Sequence, residues 1–335
     1  VVLQSTTSEL LADRRGDVES IYREFLAKAK CSGQSLACLR SASFETLNAA
    51  NFALILDTPP SAFKPGPAAD GNWVRQMPAL ELASGNFFQN LSGLILSHVA
   101  HEPEIFAIGS VTSDAAFAKL TNFNIPAYAP SVRQAVANYY PSPNSIGSPY
   151  ATQDARTMQY LDDTLLLCNY RYLNTAFQNR TWSMQYSVAS ALHATDLTPT
   201  FFNANETGAN INPEQATLFS NYQDYLTFFS ITGVPNTERI EGGPLSKIYW
   251  PKTTDQQIEK LSNVLNVTDT GFEIITDQES LKSRCDFFLN VQAAVTLAGG
   301  YVPPGGGVPN NLGVTNPNPS GNYTISTLSC GNKSC

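Results

Sequence analysis

The run Leu94-Ile95-Leu96-Ser97-His98-Val99, continued by Ala100-His101-Glu102-Pro103-Glu104-Ile105-Phe106, decides how this chain folds. Its first six residues are almost continuously apolar, as expected of a parallel strand covered on both faces. Glu102 follows a few residues past the strand, and Pro103 biases its backbone toward an extended conformation. In open α/β sheets, chemistry gathers beyond the carboxyl ends of strands. A second segment offers the same kind of address. Trp182, Met184, Tyr186 and Val188 alternate with Ser and Gln, a strand signal. The loop after it, Ala191-Leu192-His193-Ala194-Thr195-Asp196-Leu197, carries His193. A carboxylate and an imidazole are thus expected at one rim of one sheet.

The surrounding pattern supports an α/β class, a mostly parallel sheet flanked by helices. Val1-Val2-Leu3 reads as a short buried strand. Val18, Ile21, Tyr22, Phe25, Leu26 and Ala29 fall on one helical stripe. Ser43 is a helix N-cap. Short helices are expected over 113–121 and 130–139, then a longer one with Leu161, Leu165, Cys168, Tyr172 and Ala176 on one stripe. Asn212-Pro213 opens a helix whose apolar face is Leu218, Phe219, Tyr222, Tyr225, Leu226 and Phe229, ended by Gly233. Leu265–Val267 and Phe272–Ile275 form a hairpin around Thr268-Asp269-Thr270-Gly271. A last helix begins at Asp277 and closes at Gly299-Gly300. Residues 1–300 are expected to be globular. Residues 301–335, rich in Pro, Gly, Asn and Ser, are expected to form a flexible tail, because they bury too little apolar surface to offset their ordering entropy.

The 335 residues carry a net charge of −8, and no basic run stands out among them. That excludes a nucleic-acid partner, whose phosphates demand clustered Lys and Arg. No stretch approaches the ~18 apolar residues that span a bilayer. The six cysteines form an even set. Short loops favour Cys31 with Cys38 and Cys330 with Cys335, which leaves Cys168 and Cys285, each on a helical pattern. Asn-x-Ser/Thr sequons occur at Asn90, Asn179, Asn205, Asn266, Asn322 and Asn332. With paired cysteines they point to the secretory route and an extracellular location. His98, His101 and Glu102 lack the spacing of a metal-binding helix, and strand alternation sends the two histidines to opposite faces, so no metal is expected.

The two segments resemble the acid and base regions of type-B carboxylesterases and lipases, the cholinesterase-like family. Phe106 holds the aromatic place four positions after the acid. Pro103 replaces the usual glycine, and His101 stands where Asp or Asn is common. Glu104 is out of register with Phe106. Further landmarks occur in the family's order: Cys31 to Cys38 with Cys-Leu-Arg at 38–40, Asp70-Gly71, Gly85-Asn86-Phe87, Phe228, Gly233 with Pro235-Asn236, and Trp250-Pro251. Cys168 and Cys285 resemble the family's long-range cysteine pair. The match covers roughly 1–290 and is nearest in style to secreted fungal esterases and lipases.

What the resemblance implies is an α/β-hydrolase fold and a Ser-Glu-His triad, with Glu102 as the acid and His193 as the base. No Gly-x-Ser-x-Gly occurs in these residues. The chain is therefore expected to be the C-terminal portion of the hydrolase and inert alone. Its partners would be an ester or lipid substrate and the N-terminal part of the same enzyme, with no cofactor. Two alternatives stay open: a non-catalytic cholinesterase-like binding protein, and an inactive truncated homologue. Phe87, Phe88, Phe201 and Phe202 are either core aromatics or walls of an acyl pocket.

Overall fold

The computed structural model describes residues 1–8, 11, 13, 16–62, 66–178, 180–203, 211–236, 245–254 and 259–299. The tail expected over 301–335, with Cys330, Cys335, Asn322 and Asn332, lies outside them, as do Asn179 and Asn205. Two compact units are present. The first comprises Val1–Ser8, Gly85–Ile105 and Leu161–Asp286; the second comprises Glu9–Ser84, Phe106–Tyr160 and the residues described from Phe287 onward.

Five strands of the first unit make one sheet in sequence order: β1 (Val2–Gln4), β2 (Leu94–Val99), β3 (Thr181–Tyr186), β4 (Val264–Thr268) and β5 (Gly271–Ile275). The first four run parallel, and β5 returns antiparallel as the hairpin expected around Asp269-Thr270. All six residues of β2 are buried, Ser97 and His98 included, as a parallel strand covered on both faces requires. Outermost in the sheet order, β1 is only half-buried.

The helices, in chain order, are α1 (Asp17–Lys28), α2 (Leu36–Ser41), α3 (Phe44–Leu56), α4 (Pro78–Ala83), α5 (Glu104–Ala107), α6 (Asp114–Asn124), α7 (Pro130–Tyr139), α8 (Gln153–Leu161), α9 (Leu167–Ala176), α10 (Leu197–Thr200), α11 (Pro213–Thr232) and α12 (Lys282–Gly299). In the second unit, Leu26 and Ala29 pack with Cys31, Leu39 and Ala50, and the Cys31–Cys38 disulfide closes that cluster. Ser43 caps α3 by accepting the Thr46 N–H.

In the first unit, α11 covers one sheet face. Asn212 and Gln215 form a reciprocal capping box, Pro213 occupies the first turn, and Gly233 ends the helix at φ 80°. Its Phe229 meets Trp182 edge-on at 5.6 Å and its Tyr222 meets Tyr186 at 6.1 Å, so the apolar half of the β3 alternation is spent on this helix. The other half faces α9, where Ser183 donates to Asn174 Oδ1 at 2.9 Å.

Two expectations need correction. The helical stripe from Leu161 to Ala176 is not continuous. A π-helical turn, Asp162–Leu166, separates α8 from α9, and the Leu167 N–H reaches back to the Asp162 carbonyl. One extra residue in the turn shifts the buried face, so Leu166 is buried and Leu165 only partly. The last helix begins at Lys282, not Asp277. The Asp277 carboxylate instead closes a turn, accepting the Glu279 N–H at 2.7 Å and the Ser280 hydroxyl at 2.5 Å. A side chain that satisfies local backbone donors competes with helix and delays its start.

Cys168 on α9 is bonded to Cys285 on α12. Of the described sequons, Asn90 is exposed, whereas Asn266 is 8% exposed and its amide is held by Glu273 and Ser187. The folded chain has no room for a glycan at Asn266. Phe88 and Phe201 are exposed, and Phe202 is half-buried with its ring edge-on to Phe219. No helix of the described residues is long and apolar enough to cross a membrane.

Candidate active site

The sheet continues past β2 and β3 for one more step, and that step positions the two chemical groups. The Ala100 N–H donates to the Tyr186 carbonyl and the His101 N–H to the Ala191 carbonyl, both at 2.9 Å, and His101 bridges Leu192 in parallel register. The next residue on each segment is Glu102 and His193. Between Tyr186 and Ala191 the chain loops out and returns through left-handed backbone at Ser190 (φ 67°) and Ala191 (φ 40°), with Ala194 at φ 71° just after the imidazole. The detour lets residues far apart in sequence come level.

His193 Nδ1 and Glu102 Oε2 are 2.6 Å apart. An ionised carboxylate only accepts, so Nδ1–H is the donor and the tautomer is set. Glu102 is 1% exposed, and its other oxygen accepts the Val99 N–H at 2.9 Å. Burial by itself would raise the Glu102 carboxyl. The His193 bond, the Ser5 hydroxyl, the Val99 N–H and the His98 charge outweigh it, and the net direction is down. His193 moves up, first because of its bond to Glu102, against a smaller opposing effect of burial. Its side chain is 26% exposed. This is a carboxylate locked in the charged form, orienting an imidazole at the surface of these residues.

The neighbouring charged groups go elsewhere. His101 is exposed and pairs with Glu104 at 3.0 Å, so Glu104 does not compete for His193. His98 turns inward, toward Asp277 at 3.7 Å. Asp196 stands at the N-cap position of α10, but its side chain makes no cap hydrogen bond to that helix. It is 2% exposed, and its Oδ2 accepts the Gln4 amide at 3.0 Å. Burial, then the Glu102 charge, pushes the Asp196 carboxyl up.

Gln4 and Ser5 escaped the sequence reading. Gln4 closes β1 and reaches Asp196, Thr200 and Tyr222 with one amide. Ser5, at φ 47°, faces the Glu102 carboxylate and helps to lower it without closing a hydrogen bond of ordinary geometry. The signal was available. Both stand at the carboxyl end of a parallel strand, the address that singled out Glu102.

Backbone strain beside the imidazole leads to a prediction. An L-residue at positive φ costs about 1 kcal/mol or more. Ala194→Gly should relieve most of this, raising stability by about 1 kcal/mol and moving the urea midpoint upward. A lower midpoint would show that the Ala194 methyl contributes more than its backbone costs.

A family model described as the carboxylesterase family matches residues 1–288. The chain is 32% identical over 308 residues to a secreted lipase of Arthroderma benhamiae, covering 90% of this chain and 56% of that protein. It is 29% identical over 221 residues to the carboxylesterase patB of Aspergillus clavatus, covering 66% and 39%. The chain thus spans about half the length, or less, of these curated relatives. Among solved structures, Aspergillus niger EstA superposes with a TM-score of 0.63 at 17% identity, covering 89% of this chain and 58% of that one. A pNB esterase does so with a TM-score of 0.61 at 17% identity, covering 83% and 56%. These two likenesses fix the fold as that of α/β-hydrolase esterases, and the family match over residues 1–288 fixes the lineage: this chain belongs to the carboxylesterase family.

Proposed function

We propose that this chain supplies the acid and the base of a secreted serine esterase or lipase. Glu102 holds the imidazole, and His193 takes the proton of a serine hydroxyl and returns it to the leaving alcohol. The observation that carries this reading is the 2.6 Å contact between His193 Nδ1 and the buried, charge-favoured Glu102 carboxylate at the rim of a parallel sheet. Using Nδ1 for Glu102 assigns proton transfer with substrate and nucleophile to Nε2. Attack on the ester carbonyl then gives an acyl-enzyme, and water releases the acid. The relatives named above as a secreted lipase and a carboxylesterase support a carboxylic ester as substrate.

No Gly-x-Ser-x-Gly lies within the 335 residues, so the nucleophile and the oxyanion donors belong to another portion of the enzyme. The disulfides and the secreted relative support an extracellular enzyme, with exposed Asn90 as a glycan acceptor.

Complementation tests the proposal. Alone, the chain should not hydrolyse a short-chain p-nitrophenyl ester. Combined with an N-terminal portion that carries the serine elbow, it should do so, at a rate well above either part. If both portions are folded and associated but inactive together, the proposal fails.

A further inference from the structure

His98 is one of only three histidines and does not join the Glu102–His193 pair. It is 1% exposed and sits among carboxylates. Its Nε2 lies 3.7 Å from Asp277 Oδ2 and its Nδ1 lies 3.8 Å from Glu279 Oε2, while Nδ1 also meets the Val99 carbonyl at 3.1 Å. The Tyr170 ring stands edge-on at 5.0 Å. Glu102 is within electrostatic reach, and its own oxygen is bound by the Val99 N–H, on the residue next to His98.

The charges around this imidazole do not balance without it. Asp163 is matched by Arg284 at 3.2 Å. Arg171 acts on Asp277 and donates to the Ser280 and Glu259 carbonyls. Burial, then the neighbouring Asp163, pushes the Asp162 carboxyl well up. Glu102 and Glu279 are left without a permanent cation apart from a partial effect of Arg284 and exposed His101 on Glu279, whose carboxyl burial pushes up. An uncompensated buried charge is strongly unfavourable. Burial alone would lower His98, but Asp277, Glu279 and Glu102 outweigh it and the net direction is up. Two carboxylates within 4 Å of a buried imidazole favour its charged form.

We propose that His98 is a positioning residue for the Glu102–His193 pair, a buried cation that offsets the carboxylates gathered behind Glu102 and so governs how strongly the pair holds its proton. This deepens the hydrolase reading and rests on it for its catalytic meaning. The charge balance itself stands without that reading. The sign follows directly. Removing the cation makes the site more negative, so His193 binds its proton more tightly. Removing one of the carboxylates has the opposite effect.

The test is a titration of ¹⁵N-labelled histidine in the 335-residue chain, which holds few enough imidazoles to assign each. In His98→Gln the His193 midpoint should rise by about half a pH unit, a roughly threefold change in the protonated-to-neutral ratio. In Glu279→Gln, a change at a side chain 35% exposed and so easily accommodated, the midpoint should fall by a smaller amount. In the complemented enzyme the acid limb of kcat/KM should follow the same two shifts. Should His98→Gln not fold, the fall in Glu279→Gln decides alone. An unmoved midpoint, or a lower kcat at every pH with no displaced limb, would make His98 a packing residue and overturn the proposal. Hydrolysis present with an unmoved midpoint sinks this inference and leaves the hydrolase reading standing. Shifted midpoints with no hydrolysis in the complemented enzyme do the reverse.

Discussion

His193→Ala is expected to reduce kcat of the complemented enzyme by at least about 10⁴-fold, and Glu102→Gln by about 10³–10⁴-fold. The two losses differ in kind. Without the imidazole, the hydroxyl proton loses the acceptor that Glu102 holds in place. With Glu102→Gln the imidazole remains, but its Nδ1 faces an amide that can donate as well as accept, and the tautomer is no longer fixed. The double variant should be scarcely worse than His193→Ala, because the two groups act as a unit. The pH profile gives an independent check. A general base must be neutral, and the Glu102 bond raises His193 above 6.5, so the acid limb of kcat/KM should lie above pH 6.5. In Glu102→Gln that limb should move down, because the raising partner is gone. Retention of more than a tenth of the activity in His193→Ala would remove His193 from the mechanism.

The sheet and its rim were legible in the sequence because their signals are local. A nearly continuous apolar run such as Leu94–Val99 has few folded uses, and Asn212-Pro213 with Gly233 marks both ends of α11. The meeting of Glu102 with His193 could be expected from their shared address beyond two strands. The left-handed detour that brings them level could not, because Ser190, Ala191 and Ala194 are not residue types that announce positive φ. The buried charges were illegible for a related reason. Asp163 and Asp277 are drawn inward by the π-helical turn and by the Asp277 turn, neither of which has a sequence signature. Asp277 looked like a helix start because an acid before an apolar periodicity usually is one. Here its carboxylate found backbone donors in a turn first.

Removing the Cys168–Cys285 disulfide is expected to cost about 5 kcal/mol, about twice the ~2.5 kcal/mol expected for Cys31–Cys38, on the chain-entropy model of loop closure. The difference comes from separations of 117 and 7 residues. The longer crosslink restricts far more of the unfolded ensemble, since closure entropy grows with the logarithm of the loop. Cys168 and Cys285 are 2% and 1% exposed, so alanine is the replacement to use; serine would add the separate cost of burying a hydroxyl. A loss of about 5 kcal/mol is a third or more of the stability of an ordinary domain, and the Cys168→Ala/Cys285→Ala chain should be close to unfolded at 37 °C. The position of the bridge sharpens the expectation. It ties α9 to the start of α12, and the Cys285 carbonyl also accepts the Tyr172 hydroxyl at 2.7 Å. Arg284, next to Cys285, holds Asp163, so loosening this corner also releases the charged cluster behind Glu102. Urea unfolding of the two alanine pairs measures the ratio. Equal losses, or a larger loss for the short loop, would mean that native packing around each bridge, and not the restricted unfolded chain, sets what the bridge contributes.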